Sequence, residues 1–339
     1  MKEDSVYKIL ESNGFNISVD SRKTEPGDVF FALKGENFNG NEFAAEALKR
    51  GAVAAVIDDP GYTGSKTVLV ENAENELQAV ARMHRKKIDI PVLAITGSNG
   101  KTTTKELLAK VLSNNFCVHS TSGNLNNHIG VPLTILSCSP DTDFMIVEMG
   151  ANHVGEIRQL CDIAMPDYGL ITNIGKAHLE GFGSLEGVKR AKSELYEYLS
   201  SVGGTAFYDE NNSILRDLVN RDGINPVPYL QPGQHNISVL EVSQVPGLRL
   251  TAAIDGEKIN IETSLFGIYN LENVLAALST GLYFDIPADK IKRAIEAYRP
   301  DNNRSQILKT EKNILICDSY NANPVSMQKS LDAFALYPG

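Results

Sequence analysis

The sequence predicts an α/β protein: a small N-terminal α/β domain, then a central, mostly parallel sheet of P-loop type, flanked by helices and carrying a β-rich extension. Three observations lead there. Residues 91–104 read Pro-Val-Leu-Ala-Ile-Thr-Gly-Ser-Asn-Gly-Lys-Thr-Thr-Thr, an apolar run, a glycine turn and the opening of a helix. Two more short apolar runs, 143–148 and 168–174, carry polar groups at or just beyond their ends. Helical patterns alternate with these runs, as in folds that lay helices on a parallel sheet.

Residues 1–88 make the first domain. Asp20-Ser21-Arg22 leads into the turn Pro26-Gly27-Asp28 and a strand at 29–33, closed by Lys34-Gly35. A helix at 42–50, strands at 53–57 and 67–70 and a helix at 75–87 follow. That last helix ends in Arg82, His84, Arg85, Lys86 and Lys87, cations suited to a helix C-terminus and to solvent. Pro91 marks the boundary to the second domain, 89–300.

In the second domain Val92 to Ile95 read as a buried strand. Gly97, Ser98, Asn99 and Gly100 make a turn, and from Thr102 a helix buries Leu107, Leu108, Val111 and Leu112. Such a unit gathers backbone N–H groups and the positive end of the helix dipole at one point, and Lys101 adds a full charge. The result is a cradle for a nucleotide polyphosphate, with the Thr102 hydroxyl in reach of a bound magnesium ion. The common spacing G-x-x-x-x-G-K-[ST] would put a glycine at position 95, where Ile95 stands. Glu148 closes one strand and His178 follows another. Ligands of open parallel sheets bind beyond the carboxyl ends of the strands, so Lys101, Glu148 and His178 are placed to converge. A strand-end glutamate alone is often only solvated and a lone histidine is more often structural. Three such groups beside a phosphate cradle point to a metal–nucleotide site.

The helix from Ser184 to about Ser200 holds an anomaly. Leu185, Val188, Lys192, Leu195 and Leu199 fall on one stripe, so a lysine sits in an apolar row. One reading is a stem lying along the stripe with its ammonium in water. The other is a lysine used in the site with its charge chemically removed. Residues 202–264 turn β-rich, with a hairpin at 248–254 and 258–264 around Asp255-Gly256. Residues 266–270 enter a helix bearing Leu271, Val274, Leu275, Leu278 and Leu282, and a helix at 288–298 ends at Pro300. Residues 301–339 open with a hinge-like Asp301-Asn302-Asn303-Arg304, then a strand at 314–317, a polar loop and the start of a helix. These 39 residues are too few for a core of their own.

Composition bounds the function. The 339 residues are 42% hydrophobic and 22% charged, as in soluble globular proteins. A net charge of −10 argues against non-specific nucleic-acid or acidic-membrane binding. Four scattered cysteines, without a C-x-x-C pair, read as reduced thiols. The opening Met-Lys-Glu-Asp-Ser-Val lacks the apolar core of a signal peptide, and no apolar run approaches the ~20 residues of a membrane span. A cytoplasmic protein, with no stable membrane insertion, is the expectation.

These segments resemble the Mur ligase family, the ATP-dependent amino-acid and peptide ligases of peptidoglycan synthesis. Thr96-Gly97-Ser98-Asn99-Gly100-Lys101-Thr102 is similar to the family's phosphate loop, which also lacks the early glycine. Thr121-Ser122-Gly123-Asn124-Leu125-Asn126-Asn127-His128-Ile129-Gly130-Val131-Pro132 resembles its muramoyl-substrate loop. Glu148-Met149-Gly150-Ala151-Asn152-His153 and Ala177-His178-Leu179-Glu180-Gly181-Phe182-Gly183 resemble its magnesium segments. Lys192-Ser193-Glu194 resembles the segment whose lysine is carbamylated. Asp318-Ser319-Tyr320-Asn321-Ala322-Asn323-Pro324 resembles the member that adds D-Ala-D-Ala. Tyr269, Asn303 and Asn39-Gly40-Asn41 stand where the family often has His, Gly and Asp-Gly-His.

The resemblance implies an ATP-dependent ligase that joins D-Ala-D-Ala to UDP-N-acetylmuramoyl-tripeptide through an acyl phosphate, acting as a monomer with ATP and Mg2+. It implies that the chain carries the start of a truncated, Rossmann-like third domain at 301–339. Gly97, Ser98, Asn99, Gly100, Lys101, Thr102, Thr103, Asn270, Arg304 and Asp318 are implied on ATP. Thr102, Glu148, His178 and Lys192, as a carbamate, are implied on metal, with Lys101, Lys192, His178 and Glu148 catalytic. Ser21, Arg22, Lys34, Asn124, Asn126, Asn127 and Asn321 are implied on the UDP-sugar peptide. A nucleotide switch or motor, a non-catalytic homologue, another Mur-type ligase and a folylpolyglutamate synthase-like ligase remain alternatives.

Overall fold

A computed structural model describes residues 3–175, 179–301, 303–320 and 323–337. The chain divides into two compact units, one of Met1–Asp89, Thr121–Pro140 and Asp162–Met165, the other of Ile90–Ser120, Asp141–Cys161 and Pro166–Gly339.

The first unit is built on four short parallel strands in the order Ile17–Ser18, Val29–Phe31, Ala54–Ile57 and Thr67–Leu69. Every residue of the two central strands is buried, which explains their unbroken apolar runs. Helix Ala44–Arg50 turns Ala44 and Ala47 to the core with Phe30 and Ile57, and alanines let it lie close to the sheet. It stops at Gly51, whose φ of 113° is left-handed and whose Cβ would press on the Pro26 backbone at 2.9 Å. Helix Ala73–Lys87 is capped by Asn72, whose side chain accepts from Asn75 N. Its basic end differs from the solvated cluster expected. Arg85 is buried and donates to the carbonyls of Ala164, Met165 and Ile88. A small antiparallel hairpin, Lys34–Gly35 with Phe38–Asn39, follows the second strand.

The second unit carries a six-stranded sheet in the order Asn225–Pro228, Thr205–Tyr208, Tyr168–Ile171, Val92–Thr96, Phe144–Glu148, Val118–Ser120. All of its pairings are parallel. Val92–Thr96 is wholly buried at its centre. The chain leaves this strand toward one edge and leaves Tyr168–Ile171 toward the other, so their two exits border the crevice where open α/β sheets hold ligands. Register places Glu148 beside Ile95 and Thr96 beside Ile171, which levels the three strand ends.

The stretch read as β-rich resolves into two parts. Thr205–Tyr208 and Asn225–Pro228 extend the parallel sheet around helix Ser213–Val219. Asn-Pro-Val-Pro carries two prolines yet forms the edge strand, where proline is tolerated because one side needs no ladder donor. The expected hairpin, Arg249–Ile254 with Glu257–Glu262, is joined by a third strand, Ile237–Ser243. Helix Lys101–Leu112 packs Leu107, Leu108 and Val111 into a core shared with Val274 and Leu278 of helix Leu271–Tyr283 and Ile291 of helix Ala288–Ala297. Beyond position 302 the chain forms a hairpin, Gln306–Lys309 with Ile314–Cys317, and helix Pro324–Ala335. Among the described residues no helix is long and apolar enough to cross a membrane.

Candidate active site

The strand Val92–Thr96 delivers the chain into the turn at 97–100, and helix Lys101–Leu112 begins at its far side. Both glycines are required by geometry. Gly97 has φ 145° and a Cβ there would lie 2.0 Å from Thr172 Oγ1; Gly100 has φ 82° and a Cβ would lie 2.6 Å from Asn273 Oδ1. The next strand's exit braces the loop. Ser98 N donates to Asn173 O at 3.0 Å and Asn99 N to Asn173 Oδ1 at 3.1 Å, while Thr172 Oγ1 and Asn173 Nδ2 donate to Asn99 O at 2.6 and 3.1 Å. Ser98 Oγ donates to Gly175 O and accepts from Gly175 N, at 3.0 and 2.9 Å. Lys101 folds back over the turn and donates to Gly97 O at 2.8 Å. Thr102 and Thr103 are buried in the first helical turn.

Charge gathers around this loop. Burial pushes the Lys101 ammonium below the ordinary lysine range, the Glu148 carboxylate pulls it back, and Arg304 adds to the depression. Glu148, the last residue of its strand, is buried. Lys192 does not reach solvent: it is 3% exposed, with Nζ 5.5 Å from the centre of the Phe182 ring. Desolvation, with the neighbouring charge of Lys101, brings its amine down to about 7, against the pull of Glu156 and Glu194. The stem-in-solvent reading of this lysine is therefore excluded. Glu194 accepts from Gly155 N at 2.6 Å and Arg158 N at 2.9 Å, tying the Lys192 helix to the segment after Glu148.

A second layer links helix Leu271–Tyr283 to the chain beyond 302. Thr104 Oγ1 donates to Asn273 Oδ1, Asn273 Nδ2 donates to Asn270 Oδ1, and Asn270 Nδ2 donates to Phe266 O and Ser305 Oγ. Both ends of the Asn270 amide are thus engaged within the protein, and it is 1% exposed. Asp318 accepts from Ser305 N and from the Tyr269 hydroxyl, each at 2.9 Å. Asn303 has a left-handed φ of 55°, the conformation that explains a glycine preference there and that asparagine tolerates. The Arg304 guanidinium stacks 3.5 Å from the centre of the Tyr320 ring. Asn323 caps helix Pro324–Ala335 through Oδ1 and donates from Nδ2 to Asn99 Oδ1 of the phosphate loop at 3.0 Å.

The structure thus brings Lys101, Glu148, Lys192 and Arg304 into one electrostatic neighbourhood, with the loop residues 97–103. His178 and Asn321 lie outside the described residues. Sequence reasoning missed Thr172, Asn173, Asn273 and Ser305 as braces, and gave Asn323 no role. Thr172 and Asn173 carried a signal, since they follow a strand directly at its carboxyl end.

The other implied residues lie in the first unit. Ser21 Oγ donates to Glu46 Oε2 at 3.3 Å. Arg22 is exposed, and its Nε and Nη2 are both taken by the Asp20 carboxylate, at 2.9 and 2.8 Å. That pairing holds Asp20 down to about 2. Lys34 Nζ lies 2.9 Å from Asp58 Oδ1. The asparagine-rich loop begins helix Gly130–Leu136: Asn127 Oδ1 accepts from Ile129 N and Gly130 N at 3.2 and 2.9 Å. Asn124 is exposed and Asn126 half-buried. Gln78 of helix Ala73–Lys87 donates to His128 O and steadies the loop.

A strand-end glycine loop, a lysine folded across it and buried carboxylate and amine groups beside it define a nucleotide-dependent transferase or ligase centre. Comparison with known proteins narrows this. The family models for the Mur ligase middle domain and for the Mur ligase family catalytic domain match residues 95–281 and 15–95. The chain is 34% identical over 321 residues to the UDP-N-acetylmuramoyl-tripeptide–D-alanyl-D-alanine ligase of Bacillus subtilis, covering 93% of this chain and 69% of that protein. It is 36% identical to the ligase of the same name from Synechocystis, covering 96% and 70%. The crystal structure of MurF ligase from Thermotoga maritima in complex with ADP superposes with a TM-score of 0.84 at 29% identity, covering 96% of this chain and 75% of that one. The chain belongs to the Mur ligase family.

Proposed function

We propose that this protein is the ATP-dependent ligase that joins D-Ala-D-Ala to UDP-N-acetylmuramoyl-tripeptide in peptidoglycan precursor synthesis. The observation that carries the reading is the likeness, along nearly the whole chain, to ligases of that name, with Lys101, Glu148 and Lys192 all present. It is supported by the Asp318-to-Pro324 segment, whose Asn323 reaches the phosphate loop. The enzyme is taken to work as a cytoplasmic monomer.

The chemistry is amide formation from an unreactive carboxylate. The tripeptide carboxylate attacks the γ-phosphorus of ATP, the bond to the bridging oxygen breaks, and ADP leaves. The D-Ala-D-Ala amine then attacks the acyl phosphate carbonyl, gives up a proton, and expels inorganic phosphate. An anion must approach a polyanion, so the site has to supply positive charge and fixed N–H dipoles where they meet. Lys101 and the N–H groups that open helix Lys101–Leu112 hold the β- and γ-phosphates. Arg304 adds positive potential, and Asp318 is proposed on the nucleoside side, with Asn270, its amide engaged inside the protein, bracing Ser305 behind it. Thr102 and Glu148 offer hard oxygen donors of the kind magnesium takes, and carbamylation would give Lys192 the same character, with His178 as a further ligand. Magnesium held there would neutralise charge on the transferring phosphoryl group. Ser21, Arg22, Lys34, Asn124, Asn126, Asn127 and Asn321 are proposed on the UDP-sugar peptide.

The full-length protein should release ADP and phosphate only when UDP-N-acetylmuramoyl-tripeptide and D-Ala-D-Ala are both present. A coupled ADP assay with each substrate omitted in turn checks this. Equal ATP turnover without either peptide substrate would replace the ligase with a simple nucleotidase.

A further inference from the structure

The Lys34 ammonium is held by a carboxylate, Asp58, that no motif singles out. Asp58 follows the strand Ala54–Ile57, and its side chain is only 5% exposed, whereas that of Lys34 is 49% exposed. Its Oδ1 accepts from Lys34 Nζ at 2.9 Å and Asn41 Nδ2 at 2.8 Å, and its Oδ2 accepts from Ala73 N at 3.3 Å. Asp58 N donates in return to Asn41 Oδ1 at 3.0 Å. Ala73 opens helix Ala73–Lys87, so the positive end of that helix also faces the carboxylate. One buried group thus ties together the Lys34–Gly35 hairpin strand, the turn at Asn41 and a helix N-terminus.

We infer that Asp58 is a positioning residue for the diphosphate of the UDP-linked substrate, presenting Lys34 to it. This rests on the reading of Lys34 as a substrate group. An ammonium has three donors, and Asp58 uses one. The other protons remain on the half-exposed side. An ammonium already fixed by a buried partner loses less side-chain freedom when an anion binds. Asp58 is itself shielded by Asn41 and the helix end, so an incoming phosphate meets the cation first. Arg22 is the contrast. Its fork is spent on the half-buried Asp20, so it must break two hydrogen bonds before gripping a phosphate with the same edge. Lys34, and not Arg22, is therefore the preorganised cation of this unit.

The test is calorimetric titration of UDP, and of uridine as the probe without phosphates, into wild-type protein, Lys34→Ala, Asp58→Asn and the double variant. Each single substitution should weaken UDP binding about 10-fold and uridine binding less than about 2-fold, and the double variant should be no weaker than Lys34→Ala. Losses that multiply in the double variant, or that fall equally on uridine, would make Asp58 merely structural. UDP binding untouched by Asp58→Asn would overturn the inference while leaving Lys34 in place. UDP binding untouched by Lys34→Ala would remove the Lys34 assignment itself and the inference with it. Should Asp58→Asn not fold, Asp58→Glu keeps the charge and shifts the carboxylate by one methylene. It should weaken UDP several-fold with uridine unchanged, and full UDP affinity in that variant would overturn the proposal.

Discussion

Lys101→Ala should lower kcat/KM for ATP by about 10³-fold, close to 4 kcal/mol of transition-state stabilisation. The lysine lies across the glycine turn with Nζ 2.8 Å from Gly97 O, at the end of a helix whose N–H groups face the same point. Phosphoryl transfer moves negative charge onto oxygens that only these groups meet, and the surroundings are poor in water, since Thr102, Thr103, Glu148 and Lys192 are all buried. A charge removed from such a place is not replaced by solvent. Lys101→Arg should be nearly as damaging, because a planar fork does not fit the space a folded-back ammonium fills. Steady-state kinetics on the full-length protein, with a melting curve for each variant, checks this. A folded Lys101→Ala enzyme within about 10-fold of wild type would remove Lys101 from the centre of the account.

Lys192→Ala should cost about 10²-fold in kcat, with part of the activity restored by acetate or propionate. Only a neutral amine attacks CO2, and the product is a carbamate anion plus a released proton. An ordinary lysine is almost fully protonated at neutral pH. Burial, together with the charge of Lys101, brings Lys192 to about 7, so a large fraction is free to react. The sign follows: at fixed dissolved CO2, carbamate occupancy should rise as pH rises through about 7 and fall below it. The 13C NMR signal of protein equilibrated with labelled bicarbonate reports it directly, and Lys192→Ala should lack the signal. A signal that persists in Lys192→Ala, or activity that short carboxylates leave unmoved, would return Lys192 to a structural role.

The parts of this site legible in the sequence are those where local pattern and chemistry coincide. Gly97, Gly100 and Lys101 lie within five residues, on a strand–turn–helix whose period changes visibly. Lys192 was visible because a charge interrupts an apolar stripe. What the sequence hid are pairings between distant positions. Tyr269 meets Asp318 across 49 residues, and Asn323 meets Asn99 across 224. Asn41 meets Asp58 across 17, in an Asp-Asp-Pro-Gly stretch that reads only as a turn. The fold was hidden in the same places. Helix Gly130–Leu136 contains Pro132, and strand Asn225–Pro228 contains two prolines, so local preference pointed away from both; the first helical turn and the sheet edge, where no N–H donor is needed, accommodate them.

The central claim is that the tripeptide carboxylate takes the γ-phosphoryl group of ATP before the amine arrives. Oxygen transfer tests it most directly. UDP-N-acetylmuramoyl-tripeptide labelled with 18O in its terminal carboxylate is turned over by the full-length protein with ATP and D-Ala-D-Ala, and the phosphate released is weighed by mass spectrometry. One labelled oxygen should appear in the phosphate for each amide bond formed. Unlabelled phosphate alongside the ligated product would mean that ATP is hydrolysed by water, and the account of this site would be wrong.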